Sequence, residues 1–242
     1  MTPNLLERAG ELWASLAGVP VAFPPCGDVR VVASPESRMC PPRWAGIVAL
    51  GGGVLATVPA PGLIEPVRSA LLGLGQEADL EPARLRSALP VMEALGPATL
   101  AYLDGSDFTA VHRDAGIDVL PPGHQDVRRF LASAVAHDSE ESGLADVTSA
   151  TFVIRRGREV IAASGYRPWA GIAAQLSVLT APEHRGHGLA RIVASKAVAD
   201  ASARGLLPQW RARFEPSLRV ARALGFRVVG AQLSIRLTTE AV

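Results

Sequence analysis

The chain has 242 residues, 48% of them hydrophobic, and a formal net charge of +1 with no long run of one sign. That length accommodates one large or two small domains with a sizeable core, and the near balance of charge argues against a dedicated nucleic-acid or membrane-surface binder. No run of about 18 apolar residues is present, so no membrane-spanning helix is expected. Residues 1–20 lack a continuous apolar stretch and carry Glu7, Arg8 and Glu11, which does not suit a secretory signal. Cys26 and Cys40 form no C-x-x-C pair, and a reduced, cytoplasmic setting is expected.

In chain order, Leu5, Leu6, Ala9, Leu12, Trp13 and Leu16 recur at helical spacing and predict a helix over residues 4–17. Residues 20–42, rich in proline, read as loop and short strands. Residues 47–50 and 54–58 read as strands joined at Gly51-Gly-Gly53; triple glycine suits a hairpin, and no helix follows directly as a phosphate loop would need. Residues 61–74 and 81–95 read as helices and 99–103 as a strand. Residues 1–118 carry no motif that spells a chemistry and form an N-terminal α/β lobe of unknown role, a supporting lobe or an acceptor-side wall. Pro121-Pro122-Gly123 punctuates the chain, and the domains are divided there into 1–118 and 119–242. Residues 125–137 predict a helix. The acidic stretch 137–142 is either a solvated helix end or a lip that draws in an ammonium group. Residues 148–154 and 160–169 read as strands around a turn at 155–158.

Residues 175–194 are the most informative. Leu176, Val178 and Leu179 make a buried strand, which Pro182 ends because proline cannot donate to a ladder. Arg185, Gly186, His187 and Gly188 form a loop, and Leu189, Ile192, Val193 and Ala197 then recur at helical spacing. A strand that feeds a glycine loop into a helix N-terminus makes an anion cradle, because free N–H groups and the helix dipole converge there. Gly186 and Gly188 let a phosphate approach the backbone, while Arg185, Arg191 and His187 add side-chain charge. The loop is neither a Walker loop nor a dinucleotide fingerprint, since Arg191 stands where the third glycine belongs. After this helix, which stops near Gly205, come a strand over 206–214, a helix over 215–224 closed by Gly225-Phe226, and a last strand over 227–237.

Arg185-x-x-Gly188-x-Ala190, followed by the run Ser217, Ala221, Leu224, Gly225, Phe226, resembles the GCN5-related N-acetyltransferase (GNAT) family. The run Pro208-x-Trp210 with Ala221 resembles the subgroup that includes zwittermicin-resistance acetyltransferases. The resemblance implies an α/β (α+β) fold: a C-terminal mixed sheet flanked by helices, with a smaller N-terminal lobe that could be a degenerate copy of the same fold. It also implies acetyl-CoA as co-substrate, lying between strands 175–180 and 207–213. Its pantetheine arm would pair with Val178, Leu179 and Thr180, and its diphosphate would rest on Arg185, Gly186, His187, Gly188, Leu189, Ala190 and Arg191. The implied reaction moves an acetyl group directly to the primary amine of a small-molecule or peptide acceptor, without a metal, nucleic acid or membrane. A homodimer through the final strands is expected.

Two positions depart from the family. Phe214 stands where many members have Asn, and Ala221 where many have the tyrosine that protonates the departing thiolate. The general base stays open among Glu183, His184, Tyr166, His137, Asp138, Glu140, Glu141 and a water chain. Gln175 lies where some relatives carry an acid, but an amide accepts no proton at neutral pH; Glu215 is better placed to favour its helix N-terminus. No G-x-S-x-G elbow surrounds Ser177 or Ser217, which removes a hydrolase. His184 and His187 lack a third partner for zinc. The alternative of a different class is a non-catalytic acyl-CoA-binding regulatory module.

Overall fold

The computed structural model describes residues 4–74, 80–111 and 116–238. Two compact units emerge, residues 1–100 with 228–242 and residues 101–227. The division at 100/101 stands beside the sequence boundary at 118/119, and the last strand belongs to the first unit.

The first unit begins with α1 (Leu5–Leu16), whose Asn4 and Glu7 form a reciprocal capping box and whose Leu5, Ala9, Leu12, Trp13 and Leu16 are buried. Strands β1 (Val29–Ala33), β2 (Ala45–Leu50) and β3 (Gly53–Val58) follow. β2 and β3 pair antiparallel across a turn in which Gly51 and Gly52 take φ of 54° and 83°, so the triple glycine is a hairpin. α2 (Ile64–Gly73) and α3 (Pro82–Arg86) come next. β4 (Val91–Tyr102) and β10 (Arg227–Leu237) complete a sheet of order β1-β3-β2-β10-β4.

The helix expected over 81–95 is confined to α3, and residues from Val91 on are strand. Pro90 explains the stop. It lacks an N–H, its ring would clash with the carbonyl four residues back, and it biases Leu89 away from helical angles.

In the second unit β5 (Ile117–Leu120), β6 (Thr151–Arg156), β7 (Glu159–Trp169), β8 (Ala173–Thr180) and β9 (Leu207–Ala212) stand in the order β9-β8-β7-β6-β5. Pairing is antiparallel from β5 through β8 and parallel between β8 and β9. α6 (Leu189–Ala203) and α7 (Glu215–Ala223) cover one face, packing Ala194, Ala197, Val198, Leu218 and Ala221 on Leu176, Trp210 and Phe226. α4 (Gln125–Ser133) covers the other with Val127 and Phe130 against Val153, Ala163 and Leu179.

The single helix expected over 125–137 is two. Ala134 and Val135 are extended, with ψ of 156° and 134°, and α5 (Ala136–Ser142) starts after them. The break lets Val127 and Phe130 stay on the core while the acidic segment turns back over the sheet. No helix among the described residues is long and apolar enough to cross a membrane.

Candidate functional site

β8 and β9 share three parallel rungs, Ala173↔Leu207, Ala174↔Pro208 and Gln175↔Gln209. β8 continues to Thr180 and β9 to Ala212, so past Gln175 the two strands part. The main-chain groups of 176–180 that point toward β9 therefore have no ladder partner there, and Val178, Leu179 and Thr180 lie in this stretch. Alternation sorts the side chains. Leu176 and Val178 pack toward α6, whereas Leu179 packs toward α4 and Ser177 Oγ donates to the Gly143 carbonyl at the end of α5, 3.1 Å away. The hydroxyl of Thr180 is buried without a hydrogen-bond partner among the described residues.

A turn over Pro182–His184 leads into the loop. Gly186 and Gly188 take φ of 80° and 77°, and a Cβ on either would meet nothing within 4 Å. Their backbone is thus left-handed and faces open space, which is why glycine stands at both positions. Gly188 caps α6 without a side-chain hydrogen bond, and the first turn of α6 holds no acid. The first helical bond is Ile192 N–H to Gly188 O, 3.2 Å. Among the described residues, the N–H groups of Gly186, His187, Gly188, Leu189, Ala190 and Arg191 meet no acceptor. Other helix starts differ: α1 has its capping box, α4 has His124 accepting from Asp126 N–H, and α7 begins on Glu215. Six unbonded donors at the positive end of a 15-residue helix make a preformed seat for an anion.

The side chains around this seat are less free than sequence suggests. Arg185 turns back, its Nε donating to the Thr180 carbonyl at 3.3 Å and its Nη2 to Asp138 Oδ2 of α5 at 2.6 Å. His187 Nδ1 lies 2.9 Å from the Arg185 carbonyl; a carbonyl only accepts, so this nitrogen carries the proton. Leu189 packs beneath the loop against the Ile154, Ile192 and Val193 cluster. Ala190 is half-buried and Arg191 is exposed.

Tyr166 faces α6, away from α5. Its hydroxyl donates to Asp200 Oδ2 at 2.6 Å, and burial together with that bond pushes the phenol up to about 12. Core packing, not the fork, is its place. Gln175 is bound at the fork, accepting from Gln209 Nε2 at 2.6 Å, with Gln209 Oε1 buried and unpartnered among the described residues. Glu183 and His184 sit on the turn before the loop, 3.9 Å apart. Glu215 pairs with Arg222 at 2.7 Å. On α5, Glu141 accepts from Arg213 Nε at 2.9 Å, and His137 stands edge-on to Phe214 with ring centroids 6.0 Å apart. Ser217 Oγ accepts from the Trp210 indole at 3.0 Å. Ala221 is fully buried, and Phe214 is exposed at the start of α7. Gln209 and Arg213 were not singled out from sequence. The signal was the alternation of β9, which puts Gln209, Arg211 and Arg213 on the face opposite Trp210 and Ala212.

Residues 148–231 match the family model for GNAT acetyltransferase. Among solved structures, an acetyltransferase from the GNAT family of Novosphingobium aromaticivorans is 28% identical, with 62% of this chain and 67% of that chain covered and a TM-score of 0.50. A GCN5-related N-acetyltransferase from Kribbella flavida is 16% identical, with 78% and 88% covered and a TM-score of 0.50, and shares the fold. No curated protein matches. Residues 148–231 are thus similar to GNAT acetyltransferases, and the mixed α+β fold is that of the GNAT structural neighbours.

Proposed function

We propose that the protein is an N-acetyltransferase that moves the acetyl group of acetyl-CoA directly to the primary amine of a small-molecule or peptide acceptor. The observation that carries this reading is the row of six unbonded N–H groups from Gly186 to Arg191 at the start of α6, beside the opening between β8 and β9. A diphosphate fits such a seat, since its oxygens accept from successive amides and its charge opposes the helix dipole. Val178, Leu179 and Thr180 lie where an amide-bearing arm can pair with the unpartnered edge of β8. The thioester supplies an activated acetyl carbon: attack by the amine forms the C–N bond, breaks the C–S bond and leaves a thiolate and a proton. An edge N–H of β8 would polarise the carbonyl oxygen. The fork would hold the amine in line, with Gln175 and Gln209 as neutral hydrogen-bonding groups rather than bases.

A second reading keeps the seat but not the chemistry: a non-catalytic acyl-CoA-binding regulatory module. Ala221, buried where the family's tyrosine would stand, favours it, as does the pairing of Asp138 and Glu141 with arginines. The subgroup resemblance rests on Pro208-x-Trp210 with Ala221. Cytoplasmic location, absence of nucleic-acid and membrane partners, and a homodimer belong to the same proposal.

Incubation with acetyl-CoA and a panel of amines, with free thiol followed over time, tests the reading. Thiol release that depends on one acceptor class supports the enzyme. Tight CoA binding with no release over any amine supports the module, and no binding of CoA removes both.

A further inference from the structure

The acids of α5 are tied to the ends of both parting strands. Asp138 and Glu141 are three residues apart and share a helix face. Asp138 reaches Arg185, five residues past the end of β8, and Glu141 reaches Arg213, the residue after β9. Ser177 Oγ bonds the Gly143 carbonyl, and His137 abuts Phe214. α5 therefore lies as a strap over one face of the fork, and one of its ties ends on a side chain of the anion seat.

That tie is the unusual one. Arg185 is half exposed, at 50%, and Asp138 is 28% exposed, so solvent reaches both groups and the pair can part at small cost. Arg185 has one guanidinium, and in this arrangement a single-charged carboxylate of the same chain holds it. A diphosphate on the amides of Gly186–Arg191 brings more charge and more acceptor oxygens to the same guanidinium. Building on the proposed function, we infer that Asp138 is the internal counter-ion of Arg185, exchanged for the diphosphate of CoA when it binds. The exchange releases the Asp138 end of α5 while Glu141–Arg213 holds the other end. Loading of the seat is thereby coupled to the helix that borders the fork. Asp138 acts through Arg185 and is a positioning residue.

The test is the CoA dissociation constant by calorimetry, with the full chain as wild type, Asp138→Asn, Arg185→Gln and the double variant. Removing the competing carboxylate tightens CoA by about two- to fivefold, the size expected of an exposed pair. In the Arg185→Gln background the same change has no effect. Glu141→Gln, which cuts the other tie, leaves CoA affinity where it was and separates exchange at Arg185 from general loosening of α5. Exchange of the Ser139 amide, which donates to the Val135 carbonyl, speeds up on adding CoA. If the wild type binds CoA but Asp138→Asn binds it equally or more weakly, the exchange is wrong while the acyltransferase reading stands. If the wild type does not bind CoA, both fall.

Discussion

Gln209 donates to Gln175 across the last shared rung of β8 and β9, 2.6 Å from nitrogen to oxygen. The strands part just beyond this neutral pair. A glutamine pair holds the apex closed without a charge, so no ion needs to be desolvated where a thioester would lie. Replacing Gln209 by Leu strands the Gln175 carbonyl oxygen and costs about 1–2 kcal/mol. Denaturant unfolding of the variant measures that cost, and thiol-release assays should show a larger loss in kcat than in CoA affinity.

The seat itself is addressed by Gly188. With φ at 77°, any side chain there costs about 1 kcal/mol of backbone strain. Gly188→Ala and Gly188→Glu share that strain and differ in charge. The alanine variant should weaken CoA binding by less than about tenfold, and the glutamate variant should abolish it at similar melting temperature, as its carboxylate would occupy the proposed diphosphate seat.

Gly225 carries a prediction about folding. It closes α7 at φ 98°, and a Cβ there would lie 2.0 Å from the Asp107 carbonyl oxygen. Backbone on backbone cannot give way as a flexible side chain can. Gly225→Ala should therefore destabilise the second unit by about 2 kcal/mol or more, read as a drop in the denaturant midpoint. The Gly-Phe pair in the sequence motif thus has a steric cause, with Phe226 packing on Trp210 at 5.6 Å between centroids.

At acid pH the Arg155 cluster should lose part of its contribution. Its hydrogen bond to Asp126, aided by the charges of Arg155, His124 and Arg129 and opposed by burial, holds that carboxyl below its ordinary value. A carboxyl so lowered contributes stability above its unfolded value of about 3.9 and loses it as pH falls through the folded value. Asp126→Asn should flatten the fall in unfolding stability between about pH 5 and pH 2. An unchanged acid limb would count against the cluster.

At alkaline pH the sign reverses. Tyr166 is raised to about 12, so its contribution is full below the unfolded value of about 10 and is lost as pH rises through the folded one. Asp200, pushed up by burial but lowered further by the bonds from Tyr166 and Arg204, stays below its ordinary value. Tyr166→Phe should cost about 1 kcal/mol at neutral pH, abolish the tyrosinate transition near 12, and leave CoA binding intact, because the hydroxyl faces α6.

Much of the second unit was legible because its signals are local. The Gly186–Gly188 loop, the α6 periodicity and Gly225-Phe226 each fix a turn or a face within a few residues. What was not legible depends on partners distant in sequence. The pairing of Asp138 with Arg185 spans 47 positions and that of Glu141 with Arg213 spans 72, and no spacing rule announces either. The break at Ala134–Val135 has no proline or glycine to mark it, so helical spacing read through it. The helix expected over 81–95 is different: Pro90 marks the stop within the sequence itself, and the helix-forming residues after it are outweighed by tertiary pairing in the sheet.

The most direct test of the central claim is an amide-resolved titration of the full chain with CoA. The six amides from Gly186 to Arg191 should shift together and saturate at one dissociation constant, in wild type but not in Gly188→Glu, and NAD should leave them in place. Saturable CoA binding that shifts amides elsewhere while these six stay still would contradict the account.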